Sequence, residues 1–489
     1  MSELDRAVHA LLVPGFLGTT APDWLRRRLD DGLGGVALFA RNIGSAEQLR
    51  ALTDGLHGAN PDVLVAVDEE GGDVTRLEAA HGSRHPGALA LGQVDDVDLT
   101  RRVASSIGAL LVEAGVDWTW SPVADVSSNA ANPIVGVRAF GSDPDLVARH
   151  VTATVAGLQD DAGIIACAKH FPGHGDTDLD SHLELPTVAR QRSVLDTVDL
   201  VPFRAAIAAG VRTVMTGHLR ILAVDPDVPA TLSRPVVTGL LRHELGFTGV
   251  VVSDALEMEG VARGRGIGEA AVTAVLAGVD VLCLGGQHAG DEVVATVHAA
   301  LVAAVRDGRL PEDRVAHAGA RVAALAGARS LPHDPLAPMS FADGVLAAAR
   351  AIMVDGRPEL GPGAPLVVRC DPAATLAAGA RPWGIVAPLA AVRPGVTEVL
   401  LGPEDDLPPD LPLDRPVALV LRDAGRHAWQ RAVESRLLAT HPGSVVVEMG
   451  VPVALPRAAA GRITTYGASA ASAQAAVDLL TAREGRRTR

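Results

Sequence analysis

Eight short apolar runs, each followed by a polar or glycine-rich turn and then a stretch rich in Ala, Leu and Arg, set the tightest constraint on how this chain folds. They are Ala10–Val13, Gly35–Phe39, Val63–Val67, Trp118–Trp120, Ile164–Cys167, Arg212–Met215, Gly249–Val252 and Val281–Leu284. Runs that are apolar at successive positions read as strands covered on both faces, the situation of a parallel sheet. Eight such strands alternating with helices in about 325 residues fit a (β/α)8 barrel better than an open doubly wound sheet, which usually has about five or six strands. In such a barrel the chemistry sits at the C-terminal ends of the strands. The polar clusters fall there: Asp68-Glu69-Glu70, Asp125, Lys169-His170, His218 and Ser253-Asp254.

The barrel is expected to occupy residues 1–325. From Ala326 to Met339 the chain has three Pro in fourteen residues and no apolar period, which marks a linker over 326–345. Further strand-like runs follow at 351–354, 366–368, 385–386, 399–401, 417–421, 445–447 and 463–465, with a closing helix over Ala471–Leu480. They predict a second α/β domain over 346–489, an open sheet with helices in sandwich arrangement. It has no dense polar cluster, so a structural or interface role is expected of it.

At 489 residues and 48% hydrophobic, the chain can bury full cores in two or three domains. Its net charge of −15 argues against a nucleic-acid or anionic-membrane partner, since either calls for a basic face. Cys167, Cys283 and Cys370 all lie in apolar runs and have no zinc spacing, so they read as small buried hydrophobes in a reducing compartment. The first residues carry acids and no basic, cleavable leader, and no run reaches the roughly 18 apolar residues that span a bilayer. A cytoplasmic protein is expected.

The stretch Lys169 to His182 packs three His and three Asp into fourteen residues behind a strand-like run that should end at Lys169 and His170. Pro172, Gly173 and Gly175 forbid regular structure after it, so the remaining Asp and His residues belong on a loop. Three readings stay open: a metal site through His170, His174, Asp176 and His182, a solvated loop, or acid/base work beside a carboxylate elsewhere. A candidate for that carboxylate is Asp254, delivered to the barrel mouth by Gly249–Ser253, with a helix expected at once. The bland alternative there is a capping box, with Ser253 or Asp254 as N-cap and Glu257 reaching back. Trp118 and Trp120 alternate and share a strand face, which favours core packing over sugar stacking.

These residues resemble the β-N-acetylglucosaminidases of glycoside hydrolase family 3. The resemblance rests on Lys169-His170-Phe171-Pro172-Gly173-His174-Gly175-Asp176-Thr177 with Asp180-Ser181-His182, on Ser253-Asp254, Asp68-Glu69-Glu70-Gly71-Gly72 and Asn132 to Gly141. Leu38 to Ile43, Met215 to His218 and, more weakly, Ala347 to Gly356 extend it. It implies that Asp254 is the nucleophile of a retaining reaction, that His182 is the acid/base, and that Asp180 orients His182. It also implies that Asp68, Arg138, Lys169 and His170 hold the hydroxyls and acetamido group of the sugar. No metal and no cofactor are implied, and the partner is a small carbohydrate, a GlcNAc-containing glycan or muropeptide. Glu69, Asp73 and Val137 depart from the family pattern, the first two by adding negative charge near the mouth and the third by removing an acid beside Arg138.

The expected function is a cytoplasmic retaining exo-β-N-acetylglucosaminidase acting on peptidoglycan fragments. Three competitors remain. Phosphate could replace water as acceptor, because a histidine base carries no charge. A metal-dependent hydrolase could use His170, His174 and His182, or the chain could be an idle binding protein.

Overall fold

The computed structural model describes residues 2–482 apart from 178–184, 259–260, 262–263, 287–289, 330–336, 376, 410, 413 and 453–459. Two compact units divide the chain: Met1–Glu70, Thr100–Val135 and Ser142–Pro338 form the first, and Gly71–Leu99, Gly136–Gly141 and Met339–Arg489 the second. Two short segments from the first 325 residues are thus grouped with the C-terminal unit. The stretch read as a linker is bordered by helices Glu312–Gly327 and Phe341–Ala351, which reach into it from either side.

The first unit is a (β/α)8 barrel. Its strands are β1 (Leu12–Pro14), β2 (Gly35–Leu38), β3 (Leu64–Val67), β4 (Trp118–Thr119), β5 (Cys167–Phe171), β7 (Thr213–Thr216), β9 (Val250–Ser253) and β10 (Leu282–Leu284). The short strands β6 (Thr187–Val188) and β8 (Arg220–Ile221) form a separate pair. Parallel ladders join β2 to β3 to β4, β5 to β7 to β9, and β10 to β1. Single parallel bridges, Trp118 to Ile165 and Val252 to Val281, carry the ring across β4/β5 and β9/β10. At the remaining junction the Gly34 N–H bonds the His9 carbonyl. A Cβ at Gly34 would lie 1.9 Å from the Ala10 carbonyl oxygen, so a side chain there would push β2 away from β1.

All eight expected runs form barrel strands, with one shift that matters. β5 begins three residues later than its apolar run, so Lys169 and His170 lie inside it rather than at its end. The reason is hydrogen bonding to the extended segment after β4: Lys169 N–H donates to the Pro122 carbonyl, and the Lys169 carbonyl accepts from Ala124 N–H.

Alternation fills the barrel. Val13, Ala37, Leu64, Ala66, Trp118, Trp120, Ile165, Cys167, Met215, Val250, Val252, Val281 and Cys283 form one buried cluster, and helix Glu312–Gly327 adds Val322, Leu325 and Ala326. Small residues on β2, β3, β5 and β10 leave room for the two indoles, which meet edge to face at 6.1 Å. The reading of Trp118 and Trp120 as core therefore holds, and Trp118 Nε1 finds a partner in Thr213 Oγ1 at 3.0 Å.

The second unit is a six-stranded sheet in the order β11-β16-β15-β14-β12-β13: β11 (Met353–Gly356), β12 (Leu366–Cys370), β13 (Thr397–Leu401), β14 (Val417–Leu421), β15 (Val445–Glu448) and β16 (Gly461–Thr464). Only β11, at one edge, runs antiparallel. Val367, Val420, Val447 and Ile463 face a cluster with helix Ala470–Thr481, while Val368, Leu419, Leu421 and Val446 face one with helix Ala428–Thr440. Helices on both faces make this the expected α/β sandwich. The run at Ile385–Val386 is not a strand: it opens helix Val386–Val392, because Ile385 and Leu389 bury at helical spacing against the sheet.

Asp73, expected to add negative charge near the barrel mouth, is instead buried in this unit. One oxygen lies 2.6 Å from Arg422 Nη2 and 2.9 Å from Arg381 Nη2, and the other accepts from Ala468 N–H at 2.7 Å. Burial works to raise its pKa, and the two guanidinium groups outweigh that, holding the carboxyl below its usual range.

The barrel interior gives a direct test. Trp118→Ala should destabilise the first unit by about 3–5 kcal/mol, because the small residues around the indole cannot close the cavity. Scanning calorimetry should show a lowered first transition, and an unchanged profile would mean that the barrel core does not depend on this ring.

Candidate active site

The alternation that fills the barrel also builds its mouth. Two residues beyond the interior positions Ala66, Cys167 and Val252 come Asp68, Lys169 and Asp254, on the same inward parity. Lys169 is 2% exposed, and its Nζ lies 2.6 Å from Asp68 Oδ1 and 2.8 Å from Glu70 Oε1. A buried ammonium persists only when paired. Here one cation fixes two carboxylates, and Asp68 keeps part of its surface open at 18% exposure.

Asp254 follows β9 directly. Its N–H donates to the Thr216 carbonyl at 3.2 Å, and its Oδ1 accepts from Ala255 N–H at 2.8 Å, which fixes the carboxylate's direction. The helix expected here does not begin within residues 254–258, which form a turn. Ser253 is not a cap either, since its Oγ accepts the Cys283 N–H across to β10. The turn is braced by His218, whose Nε2 is 3.0 Å from the Ala255 carbonyl and whose Nδ1 is 2.8 Å from Thr231 Oγ1. A carbonyl only accepts, so Nε2 carries a proton.

Asp125 organises the other side. It is fully buried and accepts three hydrogen bonds, from His170 Nδ1–H at 2.7 Å, His170 N–H at 3.2 Å and His174 N–H at 2.7 Å. Burial pushes its pKa up, and His170 together with these donors more than offsets that, so the carboxyl titrates below its ordinary value. The ionised Asp125 accepts the Nδ1–H of His170 and so fixes the orientation of the ring. His174 is tied at both ends: its carbonyl accepts from Asn132 Nδ2 at 2.8 Å, and its Nδ1 is 2.7 Å from Thr177 Oγ1. Burial, then the neighbouring His170, depress its pKa to about 4. Asp176 pairs with Arg190 at 2.8 Å, and Arg190 also holds the buried Asp199 at 3.0 Å. These contacts tie His174 and Asp176 into the loop.

Of the sequence-predicted site residues, the structure thus brings together Asp68 and Lys169, and it places His170 on Asp125. His182 and Asp180 lie outside the described residues. Arg138 sits in the short turn Gly136–Arg138, 8% exposed, in a segment that belongs to the second unit. Glu70 and Asp125 were legible only as strand-end acids, and their partners were not. Among the described residues, no group of three His, Cys, Asp or Glu comes together in a way that could hold a metal ion.

Residues 9–325 match the family described as Glycosyl hydrolase family 3 N terminal domain. The chain is similar to a β-hexosaminidase of Alkalilimnicola ehrlichii, 42% identical over 258 residues that make up 52% of this chain and 73% of that one. It is similar over both units to the solved family 3 β-N-acetylglucosaminidase of a Paenibacillus species, with a TM-score of 0.87, 32% identity and coverage of 99% and 97% of the two chains. The solved β-N-acetylhexosaminidase of Beutenbergia cavernae is 30% identical with a TM-score of 0.60, covering 67% of this chain and 99% of its own.

His174 sets a pH dependence. Its pKa of about 4 lies below the roughly 6.5 of an unfolded histidine. Between those values the folded protein binds fewer protons than the unfolded chain, so stability falls as pH drops through that window and is fully present above it. The thermal midpoint should fall from pH 6.5 toward 4, and less steeply in His174→Gln. Parallel slopes for the two proteins would contradict the burial of a neutral His174.

Proposed function

The chain belongs to the β-N-acetylhexosaminidases of glycoside hydrolase family 3, and we propose that it releases terminal β-linked N-acetylglucosamine by a retaining double displacement centred on Asp254. The observation that carries this reading is the shared inward parity of Asp68, Lys169 and Asp254, which aims a nucleophile and a clamped pair of acids at one barrel mouth. Asp254 would attack the anomeric carbon and form a glycosyl ester. Lys169 lies within ion-pair distance of both Asp68 and Glu70 and holds the two carboxylates at the mouth, beside the oxocarbenium-like transition state of the reaction.

In this reading His182 protonates the leaving oxygen and then activates water, with Asp180 accepting its other ring N–H. Imidazole suits both steps because its unperturbed pKa of about 6.5 lets it give and take a proton near neutrality. Asp68, Lys169, His170 and Arg138 would hold the sugar's hydroxyls and acetamido group in the reactive orientation. The natural substrates in this account are peptidoglycan fragments and the setting is the cytoplasm, which the three free, buried cysteines support.

The test is hydrolysis of chromogenic β-N-acetylglucosaminides with good and poor leaving groups. Asp254→Asn should lose on the order of 10^4-fold in kcat on both. His182→Ala should lose roughly 10^2- to 10^4-fold on the poor leaving group and far less on the good one, which needs no protonation. Equal losses on both substrates for His182→Ala, or an active Asp254→Asn, would overturn the assignment.

A further inference from the structure

At the end of the barrel away from Asp254, helix Glu312–Gly327 lies against the strand N-termini, with Val322, Leu325 and Ala326 in the same core cluster as Val250 and Val281. Arg314, His317 and Arg321 on that helix share a cavity of about 470 Å³ with Arg234, Arg242 and His243, which lie in and just before the helical stretch Pro235–Glu244. No Asp or Glu lines this cavity.

One carboxylate lies behind it. Asp280 is completely buried and pairs with Arg242 at 2.5 Å, Arg314 at 2.9 Å and Arg321 at 3.1 Å, while also accepting the Val251 N–H. That contact explains why Asp280 is present: it pre-orients three guanidinium groups and ties them to β9. It does not explain the number of cations. Four arginines against one acid leave a surplus of three positive charges in a chain whose net charge is −15.

Backbone carbonyls take part of the arginines' N–H capacity, Phe247 and Gly249 from Arg242 and Val275 and Val279 from Arg314, and two further observations bear on the rest. Arg314 Nη1 is buried and has no hydrogen-bond partner, an arrangement that costs free energy unless something supplies an acceptor. The Arg242 guanidinium is pulled down to about 10, first by burial and then, against the help of Asp280, by Arg321 and Arg314. Planar guanidinium forks match the paired oxygens of a phosphate, and a compact dianion or trianion would offset the surplus.

We propose that this cavity on the N-terminal face of the barrel binds a compact multivalent oxyanion, the phosphate or diphosphate group of a small molecule. The anion would accept from the arginines that line the cavity, three of which Asp280 holds in place. The site is built by the barrel unit alone and shares no residue with the mouth that carries Asp254.

Inorganic pyrophosphate, titrated into the full-length protein by calorimetry at ionic strength held constant with sodium chloride, tests the proposal. Saturable binding is expected, together with a raised thermal midpoint, and inorganic phosphate should bind more weakly. Arg234→Glu reverses a charge at the exposed rim without touching the Asp280 pairs, so its unliganded melting curve should report a folded protein. Its affinity for pyrophosphate should fall at least roughly tenfold. Arg314→Gln should weaken binding as well, and Asp254→Asn should bind as the unaltered protein does. Absence of saturable binding, equal affinity in Arg234→Glu, or loss of binding in Asp254→Asn would overturn the proposal.

Discussion

The buried ammonium of Lys169 is the interaction on which the barrel mouth depends. Removing this group from water is tolerated only because Asp68 and Glu70 both lie within ion-pair distance. The pairing works in both directions, since two acids that would repel each other are held side by side by the cation between them. What results is a rigid rim beside Asp254, built before any substrate arrives. A similar economy operates at Asp125, where one buried carboxylate orients a histidine ring and anchors the loop that leaves β5.

Much of this was legible in the sequence because strand periodicity is a strong signal. Eight apolar runs announced eight strands, and the acids and the lysine placed just past them fell at the mouth. Less legible was anything that depended on which backbone hydrogen bonds form. Lys169 and His170 were expected where the strand ends, yet the apolar run gave no sign that β5 extends past them to Phe171, because the pairing there is set by the Pro122 and Ala124 backbone opposite. The helix expected to start at once after Asp254 does not open within residues 254–258 for a related reason: Ser253, a good capping residue by type, is occupied in joining β9 to β10. Ile385 was misread as a strand because two apolar residues in a row do not distinguish a strand from a helix start.

Side-chain partners distant in sequence were the least accessible. Asp73 looked like added negative charge near the barrel mouth. In the structure it answers Arg381 and Arg422, more than 300 residues later, and only the fold reveals that the three belong together. Asp280 follows the same logic in reverse. Its three arginines are spread over two helical stretches, so no local pattern marks them as a cluster, and their excess charge emerges only when they are seen around one cavity.

The account stands or falls on Asp254 as the atom that takes the sugar. The most direct measurement is to treat the protein with a fluorinated N-acetylglucosaminide bearing a good leaving group, which slows breakdown of a glycosyl ester, and to map the adduct by mass spectrometry of proteolytic peptides. The account predicts a single added sugar on the peptide containing Asp254, absent from Asp254→Asn. An adduct on another residue would contradict it, and so would turnover of the reagent by Asp254→Asn at the rate of the unaltered protein.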